Sequence, residues 1–211
     1  DLIAGSGIET QFDSEIAPGN ITLTADSDND NDGDVGTVGG SLNARAFGDT
    51  ADDGGLAAGT ITVSGENVSL GQVDTRGGDA QTPGSNPGGA GGTITITSVS
   101  GTTLNGDVFG TGGAGDQAGG FADGGSITFN GPVDLNAAVQ VTTGDGGGGI
   151  TFSDAVTDSN AAALTLAAGT GTIALQDVTL DQGAGSGLVF TSGASLTLNG
   201  SIDQVDTLDF S

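Results

Sequence analysis

The stretch with the clearest chemical content is DSDNDNDGDV, residues 26–35. Asp28, Asp30 and Asp32 alternate and run into Gly33, which is the opening of a D-x-D-x-D-G calcium loop. Alternating carboxylates can converge on one hard cation, and the glycine permits the sharp turn between them. Asp26 flanks the run, Asp34 can add its backbone carbonyl, and Val35 stands where such loops place an apolar anchor. The pattern departs at the closing position, where a bidentate carboxylate is expected and Gly39 is found. Closure then calls for a carboxylate from the next loop: Asp49, Asp52 or Asp53. So dense a run of like charge repels itself without counter-ions. The expectation is Ca2+ binding, and the plainer alternative is a solvated acidic turn.

Catalytic chemistry is argued down by inventory. The chain has no His, Cys, Lys or Tyr, so it lacks a Ser-His triad, a thiol nucleophile, an imidazole base and a Schiff-base amine. β-Elimination on a polysaccharide needs a basic residue, and Arg45 and Arg76 are the only two, both expected in variable loops. Glycoside hydrolysis needs just two carboxylates, but nothing singles out a pair among 27 acidic residues. The runs Gly88 to Gly92 and Gly146 to Gly149 are followed by neither helix nor lysine, so they are not phosphate loops. The reading is that of a non-enzyme.

The formal charge of −25 excludes nucleic acid and anionic membrane surfaces, because two cations cannot neutralise a phosphate backbone. The longest apolar stretch, AAALTLAA at 161–168, falls far short of the ~20 residues of a membrane span. No disulfide can form, which suits an exported bacterial protein. The chain opens on Asp1 without a signal peptide, as a processed product or an excerpt would.

The acidic loops need a scaffold, and the sequence repeats one. GGSITFNGPV at 124–133 recurs as AGTITVSGENV, GGTITITSV, GGGITFSDAV and GTGTIALQDV. Ile127, Ile150, Ile173 and Leu196 are 23 residues apart; Ile61, Ile94 and Ile127 are 33 apart, and Ile21 precedes Ile61 by 40. The longer intervals carry Gly- and Asp-rich insertions at 77–92 and 110–125, just before the recurring strand. Within a unit the apolar residues form i, i+2 pairs, as in Ile127/Phe129, Val133/Leu135 and Val139/Val141, the mark of strands with one buried face. Position two after the anchor reads Val63, Ile96, Phe129, Phe152, Leu175, Leu198, an apolar column. The fold class expected is all-β, a right-handed parallel β-helix or β-solenoid. It should have roughly eight coils of three strands, stacked about 4.8 Å apart into a rod on the order of 40 Å long. Asp79 and Asp145 follow their anchors by 18 residues, and Asp116 lies in a matching loop; these are expected to cap their own backbone turns, the alternative being weak cation sites. Thr60/Thr62, Thr93/Thr95 and Ser126/Thr128 should face outward as a hydroxyl ladder.

Repeats of the form G-[TS]-I-T-F-x-x-x-V with Gly/Asn corners, no Cys and an acidic balance resemble those of large bacterial surface exoproteins. These are the filamentous-haemagglutinin-like, two-partner-secreted and autotransporter adhesins. The resemblance covers about residues 58–211 and implies a secreted, extracellular or cell-surface protein with a right-handed β-helix. Its Asn-Pro secretion motifs are not matched by Asn86-Pro87, which lies in an insertion.

One continuous domain is expected: a cap or docking segment at 1–19, loop-bearing coils at 20–125 and regular coils at 126–211. The leading function is a structural or adhesive segment, or a subunit of an extracellular filament or matrix, stiffened by Ca2+ and stacking end to end on itself or meeting a cell-surface or glycan receptor. The alternatives are a carbohydrate-binding solenoid using Phe47, Phe109 and Phe121, and an ice-binding hydroxyl face.

Overall fold

A computed structural model describes the chain apart from residues 1, 4–6, 11–15, 26–32, 38, 49–53, 81–85, 117–119, 181–182, 184 and 211. Among the described residues there is no helix, and every pairing between named strands is parallel. A lone antiparallel bridge joins Gly48 and Gly55. The strands form a 13-stranded and an 8-stranded curled sheet.

The regular repeats supply three strands each, as the spaced apolar pairs require, while in the repeats that begin at Ile61 and Ile94 the first two run together as Ile61–Leu70 and Ile94–Leu104. Ile127–Asn130, Val133–Leu135 and Val139–Thr142 make one set; Ile150–Phe152, Val156–Asp158 and Ala163–Ala167 make the next. β-Branched and aromatic residues dominate them, and their burial alternates, inward at Ile127 and Phe129 and outward at Thr128. Strands of the same rank pair side by side. The anchors stand in one unbroken register: Ile21 beside Ile61, then Ile94, Ile127, Ile150, Ile173 and Leu196. The larger sheet holds two such files because Ile94–Leu104 pairs with Ile127–Asn130 over its first part and with Val133–Leu135 over its second. The smaller sheet is the third file, running from Ile8–Glu9 to Thr207–Phe210.

The inward side chains form one apolar cluster. Phe129 and Phe152 stack with ring centroids 4.7 Å apart and 13° between planes, which the strand spacing dictates once two phenylalanines share a register position. Full burial of side chains of this size contributes about 1.5–3 kcal/mol each. The segment expected to cap or dock enters both sheets: Leu2–Ile3 pairs with Val35–Gly36, and Ile8–Glu9 pairs with Leu42–Asn43.

The Gly-rich insertions lie against one another by main chain. Between the two, Gly77 donates its N–H to Thr111 O and Gly113 to Gly89 O; within them, Gly89 donates to Gly78 O and Gly125 to Gly110 O. Just before the recurring strand, Gly59, Gly92, Gly125, Gly148 and Gly171 form a column in which each glycine faces the carbonyl of its predecessor. A Cβ at Gly125 would lie 2.0 Å from Gly92 O, and one at Gly171 would lie 1.9 Å from Gly148 O. These glycines are demanded by space and not by a left-handed φ.

Candidate functional site

The proposed calcium loop falls largely outside the described residues, which exclude Asp26, Asp28, Asp30 and Asp32 as well as Asp49, Asp52 and Asp53. Asp34 is described. It is exposed, and its Oδ1 accepts hydrogen bonds from the Asn67 backbone N–H at 3.2 Å and from Asn67 Nδ2 at 2.9 Å. Among the described residues no group of three or more Asp or Glu side chains converges as a metal site.

What Asp34 does is repeated down the molecule. Asp79 Oδ1 accepts from Ala114 N at 2.7 Å, Asp107 Oδ1 from Gln140 N at 2.8 Å and Asp177 Oδ1 from Ser201 N at 2.8 Å. In each case the donor lies 24 to 35 residues further on, in the neighbouring repeat. This corrects the expectation for Asp79, whose carboxylate bonds the next repeat and not its own turn. The energetic logic is a charge-assisted bond to a backbone N–H that no strand partner takes. Asp145 lies exposed at a turn, and Asp116 donates its backbone N–H to Asn86 O at 3.2 Å. Asparagines make a parallel device: Asn136 Nδ2 donates to Asn105 Oδ1 at 2.8 Å, and Asn160 Nδ2 donates to Asn136 Oδ1 at 2.5 Å.

The two cations do not stand in unrelated loops. Arg45 stands two residues after the end of the strand Ser41–Asn43, and Arg76 two after the end of Gln72–Asp74; these strands pair with Asn43 opposite Asp74, and Ala46 N–H donates to Arg76 O. Each guanidinium covers a phenyl ring at 4.8 Å, Arg45 over Phe47 and Arg76 over Phe109. Asp74, only 3% exposed at its side chain, clamps Arg76 through Nε at 3.0 Å and Nη2 at 2.6 Å. That hydrogen bond, outweighing burial and aided by the charges of Asp74 and Asp79, raises the Arg76 pKa above its ordinary value. Arg45 has Asn43 in the place of Asp74, and its buried Nε has no hydrogen-bond partner among the described residues. Of the three phenylalanines expected to line a sugar site, Phe47 and Phe109 are therefore engaged by arginines, and Phe121 is 61% exposed.

Comparison with known protein families, curated proteins and solved structures finds no match to this chain. Its surfaces must be argued from their own geometry.

The most distinctive is the end of the stack. Ser195–Leu198, Ile202–Asp203 and Thr207–Phe210 continue all three files, and each is paired on one side only among the described residues. Leu196, Leu198, Leu208 and Phe210 occupy register positions that are buried in earlier repeats, yet they are 38%, 40%, 48% and 64% exposed. Phe210 stacks on Phe190 with its outer face open. The sequence column Val63 to Leu198 is thus continuous in register, but it is open at its last member.

Sequence reading missed three things: the carboxylate bonds between repeats, the pairing of Arg45 with Arg76, and the glycine column. A signal for the first was present, since Asp79 and Ala114 are separated by about one long repeat. The signal for the arginines was faint: each follows an apolar residue and an Asn or Asp, as Leu42-Asn43-Ala44-Arg45 and Val73-Asp74-Thr75-Arg76.

Proposed function

We propose that the chain is a right-handed parallel β-helix acting as a structural or adhesive segment of a secreted bacterial surface protein, or as a subunit of an extracellular filament. The observation that carries this reading is the unbroken register of the anchors from Ile21 to Leu196, which lines up like strands of successive repeats in one file. Parallel strands stacked in register, with their apolar positions in line, accept another set of the same kind, from more repeats of a longer chain or from a second copy. A helix built from repeats can lengthen without new chemistry, which suits reach and rigidity better than turnover. Asp203, Asp206 and Asp209 crowd the same end, so joining one acidic copy to the next needs screening by salt or by divalent cations. Calcium held by residues 26–35 would fill a stiffening role in the loop-bearing half.

Sedimentation velocity and electron microscopy of the chain, with Ca2+ and then with chelator, test this. The expected result is elongated assemblies whose end-to-end growth is lost with Leu208→Asp and Phe210→Asp together. A wild-type chain that stays monomeric at every concentration and salt level overturns it.

A second reading, glycan binding, draws on the Arg45–Phe47 and Arg76–Phe109 pairs beside exposed Phe121. Binding on a glycan array that is lost with Phe121→Ala and Arg45→Ala favours it, and a blank array removes it.

A further inference from the structure

The outward face of the anchor file differs from the rest of the molecule in charge. Thr22, Thr62, Thr95, Thr128, Thr151 and Thr197 stand in one register row, broken only by Ala174. The flanking outward rows carry Ser, Thr, Asn, Gln and one Gly, as at Thr60, Thr93, Ser126 and Thr97. No Asp, Glu or Arg occurs anywhere in 20–24, 60–64, 93–97, 126–130, 149–153, 172–176 or 195–199, in a chain with 27 acidic residues. The other two files present carboxylates outward, among them Asp134, Asp203, Glu9 and Asp209. The row is exposed or half-buried throughout, and among the described residues no strand packs over it.

We propose that this face is a lateral interface on which two copies of the chain meet, face to face. The argument from charge is that two chains of net −25 repel each other over most of their surfaces. Of the three strand files among the described residues, this one alone lets them touch without bringing carboxylates together, and loss of charge is the compositional sign of an interface core. The argument from size is that seven strands about 4.8 Å apart, each giving five residues of about 3.3 Å rise, make a face on the order of 500 Å². Two copies then bury on the order of 1,000 Å², the lower limit of a specific contact. Threonine methyls interdigitate across such a contact while the hydroxyls bond to one another and to trapped water. A two-fold axis through the middle of the row places Thr128, the fourth of its seven members, against its own copy.

This deepens the filament reading, since it gives filaments a way to bundle, and it is tested with the ends blocked. In the Leu208→Asp/Phe210→Asp chain, sedimentation at high salt should show a dimer, and Thr95→Glu should weaken it at least tenfold. The chain has no cysteine, so Thr128→Cys should oxidise to a disulfide dimer much faster than Thr157→Cys, an outward position in the neighbouring file. Thr62→Glu gives the same readout should Thr95→Glu not fold. A chain that stays monomeric, including one that instead adsorbs to ice or to microcrystalline cellulose, overturns the proposal, as does a dimer indifferent to the glutamates or cross-linking equally at both cysteines. A wild-type chain that forms this dimer but no filament would count against end-to-end stacking alone.

Discussion

Gly92 lies so close over Gly59 that a Cβ at Gly92 would stand 1.8 Å from the Gly59 carbonyl oxygen. The next member, Gly125, stands in the same relation to Gly92, at 2.0 Å. No side chain fits between main chains at that separation, so the repeats approach closely here only because the position is glycine.

Gly92→Ala and Gly125→Ala should therefore each cost about 3 kcal/mol or more, the upper range for overpacking a site whose neighbour is backbone. For a chain of this size that lowers Tm by about 6–12 °C. Gly120→Ala, with nothing within 4 Å of the added carbon, should leave Tm unchanged. Equal Tm values for the three variants would contradict the glycine column.

The stacked Phe129 and Phe152, both buried, predict a coupled loss. Each Phe→Ala change should cost about 3–5 kcal/mol. The double variant should fall short of additivity by about 0.5–1.5 kcal/mol, the worth of the aromatic pair itself. Urea denaturation of the four-member cycle measures this, and strict additivity would deny the contact.

Asp74→Asn removes the carboxylate from Arg76 and should cost about 1 kcal/mol, a modest figure because the Arg76 side chain is 37% exposed and the pair is screened by solvent. The sign with pH follows from the raised Arg76 pKa. A cation stabilised by folding contributes fully below its unfolded pKa and is lost only as pH rises through the higher folded value. The difference between wild type and Asp74→Asn should thus be the same at pH 7 and pH 10. A difference that shrinks over that interval would contradict the assignment.

Calcium at residues 26–35 predicts a stability gain of about 2.7 kcal/mol at a hundredfold excess over Kd, reversed by chelator. Asp28→Asn with Asp30→Asn should abolish it. A melting curve that ignores Ca2+ discards the site.

Much of the architecture was legible because its determinant is one-dimensional. A strand buried on one face writes an i, i+2 pair, and a parallel neighbour repeats it at a fixed interval, so Ile127, Ile150 and Ile173 announce their register directly. The earlier repeats were harder to read. Val35 and Leu42 are fully part of the core, but acidic and glycine residues around them obscure the pairing. The Gly-rich insertions looked like plain surface loops, because composition reports flexibility but not the main-chain contact that Gly89 makes with Gly78. Of the candidate sites, the carboxylates near Asp28 were conspicuous in sequence. Arg45 beside Arg76 was not, since that relationship exists only once the strands before them are paired.

The direct measurement of the central claim uses nitroxide labels on cysteines placed at Thr128 and Thr151, whose backbones are register partners on adjacent strands. The account predicts strong spin–spin broadening in dilute, salt-free solution, as for labels on strands about 4.8 Å apart, together with its continuation to labels at Thr151 and Ala174. Sharp, non-interacting spectra from both pairs in the folded chain would contradict it.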